Sequence, residues 1–140
     1  MIDHQRTFPK QEHLCSERRI TQLFEKGESF ISYPMRIVWY AFPALDDYPV
    51  KVVMMVPKKK LRHAVDRNRI KRLLREAFRL NKSSLLQIAS LQGISLHLAF
   101  IWIPSEQLEY ERVDKKMKES LLKLEKKIST IKVVEEKISE

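Results

Sequence analysis

From about Ser16 to Lys26 the apolar residues Ile20, Leu23 and Phe24 recur at helical spacing, with Ser16 placed to cap the first turn and Gly27 placed to end the helix. A short first helix is predicted. The next stretch, FISYPMRIVWYAF, is aromatic and β-branched but interrupted by Pro34, which a central strand does not tolerate in mid-ladder. It predicts a short strand, a bend, and a longer strand from about Met35 to Phe42. Pro43, Asp46, Asp47 and Pro49 supply turn chemistry, and VKVVMMV returns as a buried strand ending at Pro57. The two long strands are expected to pair as a hairpin.

Ala64 to about Lys82 carries the clearest helical period. At 100° per residue from Ile70, the residues Leu73, Leu74, Ala77 and Phe78 fall between about 300° and 80°, a stripe for packing on a sheet. Asn68, Lys71, Arg72, Arg75 and Arg79 fall between about 100° and 200°, and Arg67 and Arg69 flank the two edges. Residues 83 to 95 either extend this helix or loop back through Gly93. LHLAFIWI is a near-continuous apolar run of strand length ending at Pro104. A last helix starts near Tyr110, with Val113, Met117, Leu121, Leu124, Ile128 and Ile131 at spacings of four and three. The resulting order is α, short β, β, β, α, β, α.

A chain of 140 residues, 44% hydrophobic and without a repeat or Gly/Ser linker, reads as a single domain spanning 1–140, with loosely ordered ends at about 1–13 and 132–140. Its single cysteine, Cys15, excludes an internal disulfide, and two glycines exclude both the Walker loop and the dinucleotide fingerprint. No apolar run has the length of a membrane span and the start lacks a secretory signal, so the expectation is a soluble cytoplasmic protein.

Charge changes the picture most. The net charge is +9, from 27 basic and 18 acidic residues. Pro57 to Lys82 holds eleven of the basic and two of the acidic residues, which leaves 16 of each sign to cancel elsewhere. All of the excess therefore lies in one segment, as a polyanion-binding surface requires. Guanidinium forks match phosphate oxygens, and several on one rigid helix give a fixed register. The alternative is a solvated cationic face; against it, acidic partners for i,i+4 compensation are nearly absent here, whereas the last helix is laced with Glu109, Glu111, Glu119 and Glu125.

Asn68 is either a hydrogen-bonding group for a base or ribose or a tolerated surface residue. Lys58, Lys59 and Lys60 sit between strand end and helix start, where a turn can offer a second phosphate track; for Lys60 a plain solubilising role is as good a reading. Phe24, Phe30, Tyr33, Trp39, Tyr40 and Phe42 lie on the first helix and early strands. Most of them are expected in the core, with two exposed as stacking surfaces for unpaired bases. His4, His13, His63 and His97 lack metal-ligand spacing, Cys15 has no dyad signature, and Asp46 with Asp47 fits a turn. No catalytic constellation is visible, so if the protein takes part in catalysis the chemical groups are expected from its partner.

MVPKKKLRHAVDRNRIKRLLREAFRLNK resembles the signature segment of the bacterial ribonuclease P protein component. Lys58, Lys59, Ala64, Arg67, Asn68, Arg69, Lys71, Arg72, Arg75 and Glu76 match the family pattern at one spacing, and weaker similarity runs from about residue 8 to 128. The resemblance implies an α+β fold, a two-layer α/β sandwich of αβββαβα order with a four-stranded sheet and a left-handed crossover through the arginine-rich helix. It implies the protein subunit of an endoribonuclease, in which a catalytic RNA removes the 5′ leader of precursor tRNA with Mg2+ held mainly by the RNA. The expected partners are that RNA and precursor tRNA, with no membrane and no obligate protein partner.

The implied RNA-binding residues are Lys58, Lys59, Arg62, Arg67, Asn68, Arg69, Lys71, Arg72, Arg75 and Arg79. Phe24 is the candidate for the leader, in a cleft between the first helix and the sheet. Ile20 stands where many members have a first phenylalanine, Arg62 and His63 replace Gly-Asn, and Pro57 replaces a small residue. The rival readings are a non-catalytic structural RNA-binding protein of ribosomal type and a DNA-binding module; for the latter, no helix-turn-helix pair precedes residue 64. A membrane-surface helix is weaker, because its apolar face would have to leave the sheet.

Overall fold

The computed structural model describes residues 8–43 and 48–139, with the backbone alone from 131 onward. A 3-10 turn at Lys10–Glu12 precedes α1 (Glu17–Lys26), β1 (Glu28–Ser32), β2 (Met35–Pro43), β3 (Val50–Met55), α2 (Ala64–Asn81), α3 (Ser83–Gln92), β4 (Ile94–Trp102) and α4 (Tyr110–Ser139). The turn expected at Asp46 and Asp47, and the first part of the N-terminal end expected to be loose, lie outside the described residues.

Ser16 caps α1 by accepting from the Arg19 N–H at 3.4 Å. Gly27 ends it with extended rather than left-handed backbone. Glycine is needed there for closeness: a Cβ would stand 2.8 Å from the Trp39 carbonyl oxygen and would also meet that of Leu23. Tyr33 and Pro34, joined by a cis peptide bond, form the turn between β1 and β2.

The four strands order β1-β2-β4-β3. The expected β2–β3 hairpin does not form. β4 lies between them, antiparallel to β2 and parallel to β3. The reason is in β4 itself: all but one of its residues are buried, so it must be covered on both faces and flanked on both edges. A parallel β3–β4 pair needs a long crossover, which α2 and α3 provide. Residues 83 to 95 neither extend α2 nor loop back directly. Ser83 to Gln92 form α3, which Gly93 closes in the left-handed region at φ 65°, and Ile94 and Ser95 already begin β4.

Alternation along the strands makes two apolar layers. Ile37, Trp39, Val52, Met54, Leu98 and Phe100 meet Ile70, Leu74 and Phe78 of α2, Leu85 and Ala89 of α3, and Val113, Met117, Leu121, Leu124 and Ile128 of α4. On the other face Leu14 and Leu23 pack on Val38 and Ala99, with Ile20, Tyr40, Val53, Met55 and Ile101 around them. α1 thus crosses the second face, from the Val52 carbonyl that accepts the Leu14 N–H at 2.8 Å to the close approach of Gly27 to Trp39.

Candidate nucleic-acid interface

α2 rotates its two faces as the period requires. Ile70, Leu74, Ala77 and Phe78 are fully buried, and Asn68, Arg69, Arg72 and Arg75 are exposed. Lys71 is half-buried, and Val65, at 78% exposure, is an apolar residue on the cationic face that the sequence reading did not single out. Asn81 holds the helix in place, its side-chain amide donating to the Ala77 carbonyl at 2.7 Å and to Asp114 of α4 at 2.8 Å. Before α2, residues 58–60 form a turn in which the Lys60 N–H donates to the Pro57 carbonyl at 3.0 Å. Lys58, Lys59, Lys60 and Arg62 are all exposed there, so turn and helix face together present eight cations directed outward.

Three cations of the segment are engaged within the protein. Arg67 Nη1 donates to the carbonyl oxygens of Leu61 at 2.9 Å and Arg62 at 2.8 Å. Arg79 grips Glu76 with Nε at 3.1 Å and Nη2 at 2.6 Å. That hydrogen bond, more than the accompanying attraction of charge, holds the Glu76 carboxyl below its ordinary value and raises the Arg79 guanidinium. Lys82 is fully buried, its ammonium paired with Glu12 and lying 5.6 Å from the centre of the Phe8 ring. Phe8 in turn packs on Phe78 at 5.6 Å and His13 bridges to Val52, so residues 8 to 13, part of the end expected to be loose, contact the end of α2 and β3.

Of the six early aromatics, Trp39 is buried, Phe30, Tyr40 and Phe42 are half-buried, and Phe24 at 41% and Tyr33 at 43% are exposed. Phe30 is covered by the ammonium groups of Lys123 and Lys127 of α4, at 5.3 and 5.6 Å. A groove of about 790 Å³ runs beside α1, lined by Ser16, Arg18, Arg19, Thr21, Gln22 and Glu25 with Tyr40 and Phe42 of β2. Phe24 is not among its walls. From the inward Leu23 and Ile20, Phe24 turns to one flank of α1, whereas Arg19 and Gln22 turn to the other. The structure therefore brings the basic turn and the α2 face together, and sets Phe24 apart from the groove.

The Ribonuclease P family model matches residues 8–125. The ribonuclease P protein component of Porphyromonas gingivalis strain W83 is 34% identical over 115 residues, covering 82% of this chain and 84% of that protein. That of Chlorobium phaeobacteroides is 34% identical over 109 residues, covering 71% and 74%. Among solved structures, the RNase P protein of Staphylococcus aureus superposes with a TM-score of 0.60 at 24% identity, over 81% of this chain and 94% of that one. The RNase P protein from Thermotoga maritima gives 0.61 at 23%, over 79% and 94%, so the fold is shared as well. With most of the signature cations exposed on the 58–62 turn and one face of α2, and the family model spanning nearly the whole described chain, this protein belongs to the ribonuclease P protein family.

Proposed function

We propose that the chain works as the RNA-docking and leader-holding subunit of ribonuclease P, with the hydrolytic chemistry supplied by the catalytic RNA. The observation that carries this reading is the outward cationic surface made by the 58–62 turn and the exposed face of α2. Eight cations on two adjoining rigid elements fit a folded RNA backbone, where each phosphate neutralised releases counterions. Arg62, Arg69, Arg72 and Arg75 supply forks for phosphate, Lys58, Lys59, Lys60 and Lys71 supply point charges, and Asn68 supplies a neutral donor and acceptor beside them.

The 5′ leader of precursor tRNA is single-stranded, and the face of the sheet crossed by α1 offers it two kinds of contact. Phe24 presents an exposed ring, and the groove on the other flank combines the half-buried Tyr40 and Phe42 with Arg18 and Arg19. Rings that stack and cations that follow a backbone are the parts of a single-strand site. Among the described residues no group of three or more carboxylate, imidazole or thiol side chains is placed to hold a metal ion. On this reading Mg2+ is held mainly by the RNA.

The test is reconstitution with total cellular RNA, followed by sequencing of what is retained. Selective retention of ribonuclease P RNA, with cleavage of precursor tRNA by the reconstituted complex, is the expected result. Retention of ribosomal RNA without any effect on precursor tRNA would replace the reading with that of a structural RNA-binding protein.

A further inference from the structure

Arg67 belongs by sequence with the phosphate-binding cations, yet its guanidinium is turned toward the protein. It is half-buried, and Nη1 reaches back past the start of α2 to the carbonyl oxygens of Leu61 and Arg62 at 2.9 and 2.8 Å. A cation is electrostatically disfavoured in the first turns of a helix, where unsatisfied N–H groups carry partial positive charge. Two carbonyl acceptors offset that cost, because hydrogen bonds from a charged donor are the stronger kind.

Those two carbonyls belong to the linker that carries Lys58, Lys59, Lys60 and Arg62. Within it, the Lys60 and Leu61 N–H groups donate to the Pro57 carbonyl at 3.0 and 3.4 Å, which closes the turn onto the end of β3. On the side of α2 the clamp is Arg67. A second tie holds the same end of the helix to the segment after β4, where the Gln107 amide donates to Asp66 at 3.2 Å.

We propose that Arg67 is a positioning residue whose contribution to RNA binding passes through the turn: it locks residues 58–62 against α2, so that the cations of turn and helix meet the RNA as one rigid surface. This rests on the reading that the turn contacts RNA. Without the clamp, four cations on a loosened turn would have to be ordered at the moment of binding, which weakens association.

A double-mutant cycle decides it, with the full chain and ribonuclease P RNA. Arg67→Ala is measured in the natural chain and in one carrying Lys58→Ala, Lys59→Ala, Lys60→Ala and Arg62→Ala. Expected is a loss of affinity in the natural chain, with a fall in the slope of log affinity against log salt, and no further change in either quantity in the turn-neutralised chain. A direct phosphate contact would lower the slope by about 0.7–0.9 in both backgrounds and overturn the proposal.

Amide exchange of Lys60 and Leu61 gives an independent readout. It should quicken in Arg67→Ala while the melting temperature holds, and unchanged exchange would also overturn the proposal. A turn-neutralised chain that binds RNA as tightly as the natural one sinks the reading of the turn and the proposal with it; Arg69→Ala and Arg72→Ala then report separately on the helix face.

Discussion

Glu76 and Arg79 stand three residues apart on the exposed side of α2, and the guanidinium holds the carboxyl in its charged form. The sign of the pH dependence follows from that lowered value: the pair is intact above the ordinary carboxylate value of 4.5 and is lost as pH falls through the lowered one. At neutral pH Glu76 thus cancels one cation of the α2 face. Glu76→Gln should raise affinity for ribonuclease P RNA and steepen its salt dependence by about one unit or less, read from binding at several salt concentrations. Arg69→Ala and Arg72→Ala should each do the reverse, weakening binding and reducing the slope by about one unit or less. If neither changes the slope, the helix face is a solvated surface. Phe24 poses a different choice, between ring stacking and packing. Burying an aromatic fully and then removing it costs ~3–5 kcal/mol of stability. At 41% exposure Phe24 is far from that case, so Phe24→Ala should leave the melting temperature nearly unchanged. Its expected effect is a loss of ~1–3 kcal/mol in holoenzyme affinity for precursor tRNA with a leader, and little for mature tRNA. Equal losses for both RNAs, with a large fall in melting temperature, would place Phe24 in the core.

At the scale of elements, α1, α2 and α4 were legible because their apolar residues keep one helical stripe, and all but one of the assigned strands sit within a residue or two of their expected bounds. Pairing was not legible. A run such as LHLAFIWI states that both faces are covered without stating its neighbours, so the β2–β3 hairpin was a local guess that the sheet order overturned. Most of the site was readable too, since exposure follows from the same period as burial. The exceptions are cations with partners far away or behind them. On the angular count Arg67 falls at about 60°, inside the packing stripe, and that was a usable sign that it does not point to solvent. Lys82 gave no such sign, because its partner Glu12 lies 70 residues earlier. That pair joins the N-terminal segment to the junction of α2 and α3. Breaking a buried ion pair by removing one partner leaves an uncompensated charge, which costs ~3–5 kcal/mol. Lys82→Ala should therefore lower stability by that amount in chemical denaturation, and Lys82→Met combined with Glu12→Leu should recover most of it. A loss below about 1 kcal/mol for Lys82→Ala would mean that Glu12 finds water and that the segment is not held by this pair.

Taken over the full chain, the charge sets how strongly the cationic surface can hold a polyanion. Three of the eleven cations between Pro57 and Lys82 are engaged internally, which leaves eight directed outward. If each neutralises one phosphate, the slope of log affinity against log salt reaches about −7 on duplex and about −6 on single strands, and no more. A steeper measured slope would require a second surface, for which Arg18 and Arg19 of α1 and the lysines of α4 are candidates. The internal pairings bear on chemistry as well. The acids nearest the cationic surface are already occupied: Asp66 accepts from Gln107 at 3.2 Å and Glu76 from Arg79 at 2.6 Å. The apolar sheet face under α2, α3 and α4 is closed by Trp39, Phe100 and Trp102. Purified chain freed of RNA should therefore leave precursor tRNA intact in magnesium, and cleavage at the mature 5′ end should begin when ribonuclease P RNA is added. Cleavage by the RNA-free chain, surviving nuclease treatment and lost on Glu76→Gln, would move the chemistry onto the protein.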